Sequence, residues 1–382
     1  MLANPPRCKA QLLGAELCTH SICDVRWNTG HVQECYANVV DAVPLTSQWT
    51  PSCVPEEPLG VVWIELGHWG RAPAPATPIV LAVQVVSRMR GGAQSHLMLG
   101  DDDNLWVVKF QNNPQHRKVL VNELIATRIA AVIGLSVPSS CVIDVSSWLI
   151  ESNPQLTVDY GRGDRQRCAS GLQFGSRYAG GQPPQRVIDF LPDEQLHKVH
   201  NMAEFAGILA FDKWTGNSDG RQAVFQRSTG EGGYRAVFID QGGCFNTGEW
   251  IFRDAPLQGV FARNSVYSMV TGWDSFEPWL PRIEQFRPDL LRGIAEEVPP
   301  EWYGGDRSAL QALVQKLISR RSRVRELIDQ FRQSSREPFP HWRNHVTTAM
   351  PDRLASYRRK VVYGMASVGS SAEALAAGHL AH

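Results

Sequence analysis

Residues 205–246 read FAGILAFDKWTGNSDGRQAVFQRSTGEGGYRAVFIDQGGCFN. The stretch opens with an apolar, helix-like run and then breaks into a polar loop that contains Asp219. Two apolar runs, Ala223–Phe225 and Tyr234–Ile239, flank a glycine-rich turn and predict a β-hairpin. Asp240 follows the second run directly and precedes a Gly-Gly pair. The stretch therefore places two carboxylates at the two ends of one predicted hairpin.

The arrangement of these two carboxylates can be interpreted in two ways. Phosphoryl transfer needs one Asp to orient the attacking hydroxyl and another to hold Mg²⁺ on the nucleotide phosphates, and Asp219 and Asp240 suit these two roles. An ordinary hairpin with acidic turn residues has the same appearance. The hairpin alone does not decide between the two.

The length and charge of the chain limit the possible function classes. Its 382 residues are enough for two lobes or two domains. The 38 basic and 38 acidic residues give a net charge of zero, so we expect no direct binding to nucleic acid or to a membrane surface. The longest apolar run, near 78–86, is too short to cross a bilayer. No secretory signal pattern is present at the start of the sequence, which favours a cytoplasmic protein.

The two ends of the sequence differ from its centre. Residues 1–78 are rich in Trp and Cys, show no persistent period and end in a Pro-rich run. A separate module, a disordered leader and upstream sequence from a misplaced start are the three alternatives, and the last two are favoured. Residues 334–382 are predicted to be a tail that becomes rich in Ala, Gly and Ser.

A glycine-rich turn follows the first predicted strand, which covers residues 79–86. Glycines allow the backbone to approach an anion, and the free amides of such a turn, together with a Ser hydroxyl, can donate hydrogen bonds to phosphate oxygens. An ordinary hairpin turn is the alternative. The predicted phosphate-binding residues are Gly91, Gly92, Ala93, Gln94 and Ser95.

Lys109 interrupts the apolar strand 105–110. A buried ammonium needs an acidic partner or a phosphate nearby. Glu123, near the start of a helix predicted over 117–133, is the natural partner. The alternative is an edge-strand lysine that extends to solvent and a solvated glutamate. We favour the pair, because the glycine turn, the lysine strand and the glutamate helix occur in the order found in kinases.

The residues that follow predict a hinge and then a helical lobe. Residues 171–178 read as a short strand that ends in a bend, where the two lobes of a kinase would be joined. We therefore predict that Gln173, Phe174 and Gly175 contact the nucleotide. Further along, residues 308–331 predict one long amphipathic helix.

Together these segments resemble the HipA-like protein kinases over roughly residues 79–333. The resemblance implies an α+β, two-lobed protein-kinase-like fold, with a small β-rich N-lobe over 79–178 and a helical C-lobe over 179–333. It depends on the order and spacing of the glycine turn, Val107-Val108-Lys109, Asn122-Glu123-Leu124, Phe211-Asp212-Lys213-Trp214, Gly216-Asn217-Ser218-Asp219 and Phe238-Ile239-Asp240-Gln241-Gly242.

The resemblance also implies a chemistry, with ATP and Mg²⁺ as cofactors and a Ser or Thr hydroxyl of an unidentified protein as acceptor. By this resemblance Lys109 contacts the α- and β-phosphates, and Glu123 holds Lys109 in place. Asp219 orients the substrate hydroxyl, and Asp240 binds Mg²⁺.

The sequence departs from the family pattern in the loop around Asp219. The family usually has Arg-His after this Asp and a metal-binding Asn five residues after it, whereas here Gly220 and Arg221 follow and Val224 replaces the Asn. Val cannot bind Mg²⁺, so Gln222, or else Asn217, would have to supply the missing oxygen. A nucleotide-binding pseudokinase that regulates a partner, or an enzyme that transfers AMP on the same fold, are therefore the alternatives. The N-terminal region does not resemble the extra domain of the toxin-type members, so a DNA-binding antitoxin partner is not implied.

Overall fold

The computed structural model describes residues 79–180, 187–228 and 232–343. The predicted leader, 1–78, and the part of the predicted tail from 344 onward lie outside the described residues. None of the helices within the described ranges is long and apolar enough to span a membrane.

The N-lobe is built mainly from strands. Its elements are β1 (Ile79–Arg88), β2 (His96–Gly100), β3 (Leu105–Lys109), α1 (Val119–Val132), β4 (Ser140–Val145), α2 (Ser147–Ser152), β5 (Thr157–Asp159), β6 (Arg165–Arg167) and β7 (Gly171–Arg177). Strands β5 and β6 form a separate hairpin. The predicted β-rich N-lobe is confirmed.

Five of these strands close into a barrel in the order β1-β2-β3-β7-β4. The barrel closes through a parallel pairing of β1 with β4, whereas its other pairs are antiparallel. Two irregularities interrupt the pairing of β1 with β2, and such bulges bend a strand as closure requires. The interior has its own apolar core, which includes Met98, Val108 and Ile143. The barrel thus holds β3 between β2 and β7, with Lys109 at the end of the strand.

Helix α1 is packed from several sides. Eleven of its 14 residues are buried, among them the polar Asn122 and Glu123. Its apolar residues join the same core as the helices of the C-lobe. Val132 is 40% exposed at the end of the helix. Because the helix has no solvated face over residues 119–127, its buried polar residues must find partners within the protein.

The C-lobe is mainly helical. Its elements are β8 (Val187–Ile188), α3 (Glu204–Thr215), β9 (Gln222–Arg227), β10 (Tyr234–Ile239), α4 (Trp279–Glu284), α5 (Pro288–Glu296), α6 (Arg307–Arg320) and α7 (Val324–Arg332). Strands β10, β9 and β8 form a small antiparallel sheet in that order. The predicted hairpin is β9–β10, and it pairs Gln222 with Ile239 at the end nearest Asp240.

Two features of the C-lobe differ from the sequence prediction. The single helix predicted over 308–331 is divided into α6 and α7 by a 3-10 turn at Arg321–Arg323. At the end of α6 the buried Arg320 turns inward and bonds to Asp254 at 2.6 Å. The lobe also continues beyond 333, because Phe339 is buried and its ring lies 5.8 Å from that of Phe331. The packed chain therefore extends about ten residues into the predicted tail.

Candidate active site

Lys109 is the buried cation at the centre of the candidate site. Its side chain is 9% exposed, and its Nζ donates to Oε1 of Glu123 and, at 2.8 Å, to Oδ1 of Asp240. Burial alone would lower the pKa of Lys109, but the charges of Glu123 and Asp240 outweigh burial and raise the pKa. Lys109 is therefore a permanent cation shared by two carboxylates, and the predicted pairing with Glu123 is present.

Glu123 connects this lysine to the chain that follows Asp240. Its side chain is 3% exposed, and its Oε2 accepts a 3.1 Å hydrogen bond from the backbone N–H of Gln241. Burial and the charge of Asp240 raise the pKa of Glu123, and they outweigh the opposing effect of Lys109. One glutamate thus orients the ammonium group and also fixes the backbone beside the second carboxylate.

Asp240 lies in the left-handed region, with φ 61°. Among non-glycine residues, Asp and Asn adopt this conformation most readily. The turn begins directly after β10 and directs the carboxylate toward Lys109. The charge of Lys109 is the main cause that lowers the pKa of Asp240 to about 2, against the opposing effect of burial. Asp240 is therefore an ionised carboxylate at neutral pH.

Asp219 reaches the same region from the loop after α3. Its backbone N–H donates to Oδ1 of the buried Asn217 at 3.1 Å, and the N–H of Ser218 donates to the carbonyl of Gly243 at 2.9 Å. A Cβ at Gly243 would lie 2.6 Å from both Oδ1 of Asn217 and Oδ2 of Asp219, so only glycine allows this close approach. Burial, and after it the charge of Asp240, raise the pKa of Asp219.

A buried ion pair behind the site was missed in the sequence. Arg221 donates to both carboxylate oxygens of Asp212, at 2.9 and 2.5 Å, and both side chains are almost fully buried. The same guanidinium donates to the carbonyls of Ile239 and Asp240 at 2.8 and 3.2 Å. The pair therefore ties α3 to the end of β10. The available signal was a charged residue, Asp212, within an apolar helix.

Gln222 is the polar side chain next to Asp240. Its Nε2 donates to Oδ2 of Asp240 at 3.0 Å. Gln222 pairs with Ile239, the residue before Asp240, whereas Val224 pairs with Val237, two residues earlier. Two residues along a strand span about 7 Å. The residue that neighbours the carboxylate at the start of β9 is therefore Gln222, and not Val224.

The available oxygen atoms fit a hard divalent cation. Asp219 and Asp240 offer carboxylates, while Asn217 and Gln222 offer amide oxygens, and Mg²⁺ binds through one or two carboxylates together with substrate phosphates and water. Among the residues that the structure describes, no group of three or more His, Cys, Asp or Glu side chains could hold a metal ion by itself. These residues fit a metal that is bound together with a nucleotide.

The glycine turn lies at the same end of the barrel as Lys109. Its residues, 91–95, connect β1 to β2, and Gly91 has φ 115°. The register pairs His96 of β2 with Val108 of β3, so Ser95 comes next to Lys109 across the ladder. The glycine turn and Lys109, which follow each other in the sequence, are therefore also neighbours in the fold.

The side chain of Gln94 has a structural role in this turn. Its Nε2 donates to the carbonyl of Asp159 at 2.6 Å, and its Oε1 accepts from the N–H of the same residue at 2.8 Å. Asn113 donates to the carbonyl of Ala93 at 3.1 Å. The contacts with Asp159 hold the turn against β5, so a phosphate contact from Gln94 would come from its backbone.

Gln173, Phe174 and Gly175 lie in the interior of β7. The side chain of Gln173 accepts a 2.7 Å hydrogen bond from the backbone of Gln111. Phe174 and Gly175 pair with both β3 and β4, and a Cβ at Gly175 would lie 2.4 Å from Ile143. The close packing inside the barrel therefore explains why position 175 is a glycine. The strand continues to Arg177, so these three residues lie before the bend of the predicted hinge, and their contact with a nucleotide stays a prediction.

The sequence profile of the HipA-like kinases matches residues 82–233. The match covers the glycine turn, Lys109, Glu123 and the loop of Asp219, and it ends before Asp240. It confirms the family resemblance over a shorter span than predicted and supports a kinase-type phosphotransferase. Among curated proteins, no sequence matches this chain.

Several solved kinase structures have a similar backbone. A Golgi casein kinase with Mn and ADP bound has a TM-score of 0.40 at 12% identity, covering 68% of this chain and 74% of its own. The Helicobacter pylori proinflammatory kinase CtkA has a TM-score of 0.40 at 12% identity, with coverages of 63% and 94%. HipA of Shewanella oneidensis, solved with HipB and operator DNA, has a TM-score of 0.33 at 13% identity, with coverages of 64% and 67%. At these scores the likenesses carry no argument about activity.

Proposed function

Because residues 82–233 have the sequence pattern of the HipA-like kinases, we propose that this chain transfers the γ-phosphoryl group of ATP, with Mg²⁺, to a Ser or Thr hydroxyl of a protein. The observation that carries this proposal is the buried ion cluster of Lys109, Glu123 and Asp240. Its members come from β3, from α1 and from the end of β10. Phosphoryl transfer depends on positioning and on electrostatic stabilisation, and a fixed lysine beside paired carboxylates supplies both.

The N-lobe residues would bind the triphosphate. Lys109 is a permanent cation, so it suits the oxygens of the α- and β-phosphates, while Glu123 keeps its ammonium group in position. The backbone amides of 91–95 and the hydroxyl of Ser95 would donate to the same anion. The ladder register that places Ser95 next to Lys109 supports this combined role.

Asp240 and Gln222 would hold the metal. Such an ion would supply positive charge that stabilises the phosphates during transfer. Asp240 is ionised and supplies a carboxylate oxygen. Gln222 presents its amide at Oδ2 of Asp240, and a half-turn of this amide exchanges its nitrogen for an oxygen at the same place. The chain thereby compensates for Val224, which has no oxygen.

Asp219 would orient and deprotonate the acceptor. The hydroxyl oxygen forms a bond to the γ-phosphorus, the bond to the β–γ bridging oxygen breaks, and ADP leaves. The hydroxyl proton passes to Asp219, whose raised pKa makes it a better proton acceptor than an ordinary aspartate. The close contact with Gly243 limits the positions open to this carboxylate.

A pseudokinase is the second candidate. It is favoured by Val224, because the position at which the family has a metal-binding Asn carries no oxygen here. Such a protein would bind ATP and regulate a partner without transferring a group. Transfer of AMP by the same fold remains an alternative that one labelling experiment separates from both.

The test compares γ-labelled and α-labelled ATP on the purified chain with Mg²⁺. We expect the γ-label to appear on the protein by autophosphorylation, and to be lost in Asp240→Asn. Asp306→Asn is the matched control, because Asp306 caps α6 through Ala309 and Asn caps helices equally well. Labelling from α-labelled ATP would instead show AMP transfer. Stabilisation by ATP without any label would show a pseudokinase, and equal γ-labelling of Asp240→Asn and wild type would refute the proposed role of Asp240.

A further inference from the structure

We propose that Asn122 is a positioning residue, which fastens the segment that follows Asp240 to α1 and so holds the metal-binding carboxylate in place. This segment, residues 241–250, is called the anchor segment below. The proposal rests on the proposed function in one respect, namely that Asp240 binds a metal. It concerns a residue that contacts neither metal nor substrate and acts through the backbone beside Asp240.

The side chain of Asn122 is fully buried, and all its hydrogen bonds go to the anchor segment. Its Nδ2 donates to the carbonyls of Gly242, Cys244 and Thr247 at 3.0, 2.8 and 2.7 Å. Its Oδ1 accepts from the indole N–H of Trp250 at 2.9 Å. An amide nitrogen has two protons, so three carbonyls share them. One side chain thus contacts four residues along the segment.

The backbone of the anchor segment needs such support. Phe245, Asn246, Thr247 and Trp250 all have left-handed backbones, with φ of 60°, 56°, 54° and 54°. This conformation is unfavourable for residues with a side chain, and surrounding structure must impose it. Asn122 satisfies three backbone carbonyls along this segment, one of them that of the left-handed Thr247.

The segment is packed like a core element. Of its ten residues, only Glu249 is exposed. On the side away from α1, the N–H groups of Phe245 and Asn246 donate to the carbonyls of Thr215 and Gly216 at 2.8 and 3.1 Å. The segment therefore joins α1 to the end of α3, where the loop of Asp219 begins.

Two consecutive residues of α1, Asn122 and Glu123, bind the backbone directly after Asp240. Glu123 accepts from the N–H of Gln241, directly after Asp240. Asn122 donates to the carbonyl of Gly242, one residue further. Because both contacts start from the same turn of α1, the helix that orients Lys109 also sets the position of Asp240. The contacts of α1 thus link the lysine, the glutamate and the metal-binding carboxylate.

The first test needs no activity. Backbone hydrogen exchange is compared in wild type, Asn122→Ala and the control Asn264→Ala, which removes a side-chain bond to the carbonyl of Arg336. We expect faster exchange in 241–250 in Asn122→Ala alone. Unchanged protection there, or an equal loss throughout the chain, would overturn the proposal. If Asn122→Ala does not fold, Trp250→Phe keeps an aromatic ring, deletes the bond to Oδ1, and should raise exchange at 247–250.

The second test measures metal binding without turnover. Mn²⁺ is titrated in the presence of a non-hydrolysable ATP analogue, and free Mn²⁺ is followed by its electron paramagnetic resonance signal. Loss of a residue that supports a metal ligand weakens metal affinity by about tenfold or more, and we expect this of Asn122→Ala but not of Asn264→Ala. Unchanged affinity would overturn the role of Asn122. If wild type itself binds no Mn²⁺ with the analogue, the role of Asp240 in the proposed function fails, while hydrogen exchange still decides whether Asn122 holds the segment.

Discussion

The ammonium of Lys109 lies 2.8 Å from Oδ1 of Asp240, although the two residues are 131 positions apart in the chain. The contact joins the barrel to the C-lobe hairpin through one buried charge. Glu123 is the second acceptor of the same ammonium. Since the three groups share one buried site, removal of one changes the cost of burying the others.

The first prediction concerns this coupling. Lys109→Met leaves Glu123 buried without its counter-ion, and we expect a loss of about 3 kcal/mol in the free energy of unfolding. The double variant Lys109→Met/Glu123→Gln should recover part of this loss, because an uncharged amide is less costly to bury. Urea unfolding followed by circular dichroism measures both. A double variant no more stable than Lys109→Met would contradict the coupling.

A second prediction follows from the acidity of Asp240. Its pKa falls from 3.8 to about 2 on folding, so the ionised group stabilises the fold above about pH 4, and this contribution is lost as the pH falls toward 2. The shift corresponds to about 2 kcal/mol. Asp240→Asn should therefore lose less stability than wild type between pH 5 and pH 2. Urea unfolding at several pH values tests this, and identical pH dependences would rule the explanation out.

The third prediction concerns Arg221. Lysine keeps the charge but cannot bond to both oxygens of Asp212 and to two backbone carbonyls at once. Arg221→Lys should therefore weaken phosphoryl transfer by about tenfold or more, through misplacement of Asp240. Arg320→Lys is the matched control, since Arg320 is also buried and bonds to a carboxylate and to backbone carbonyls. Similar losses of stability with unequal losses of initial rate would support the role, and equal losses of rate would contradict it.

The sequence predicted the parts of the site that leave a local signal. Lys109 interrupts an apolar strand, and Glu123 lies in a helix at the spacing expected for its partner. The β9–β10 hairpin was visible from its apolar runs. The two-lobed architecture was implied by the resemblance to the HipA-like kinases, which depends on the order of these motifs.

Other features depend on contacts that no local pattern encodes. The sequence predicts Gln173, Phe174 and Gly175 within a short strand that ends in a bend, but only the barrel shows that this strand is paired on both of its edges. The partners of Asn122 are at least 120 positions away, so its role is invisible in the sequence. The 3-10 turn after Arg320 coincides with the inward turn of this arginine, whereas the apolar period of the sequence continues through it.

The last prediction separates Gln222 from Val224. If Gln222 supplies the missing metal oxygen, Gln222→Ala should raise the Mg²⁺ concentration needed for half-maximal rate by about tenfold, with little change in the rate at saturating Mg²⁺. Val224→Asn should not restore the affinity in this background, because position 224 pairs with Val237, three residues before Asp240. Gln226→Ala, further along the same strand, is the control. Rescue by Val224→Asn would show instead that the family's asparagine position reaches the metal here.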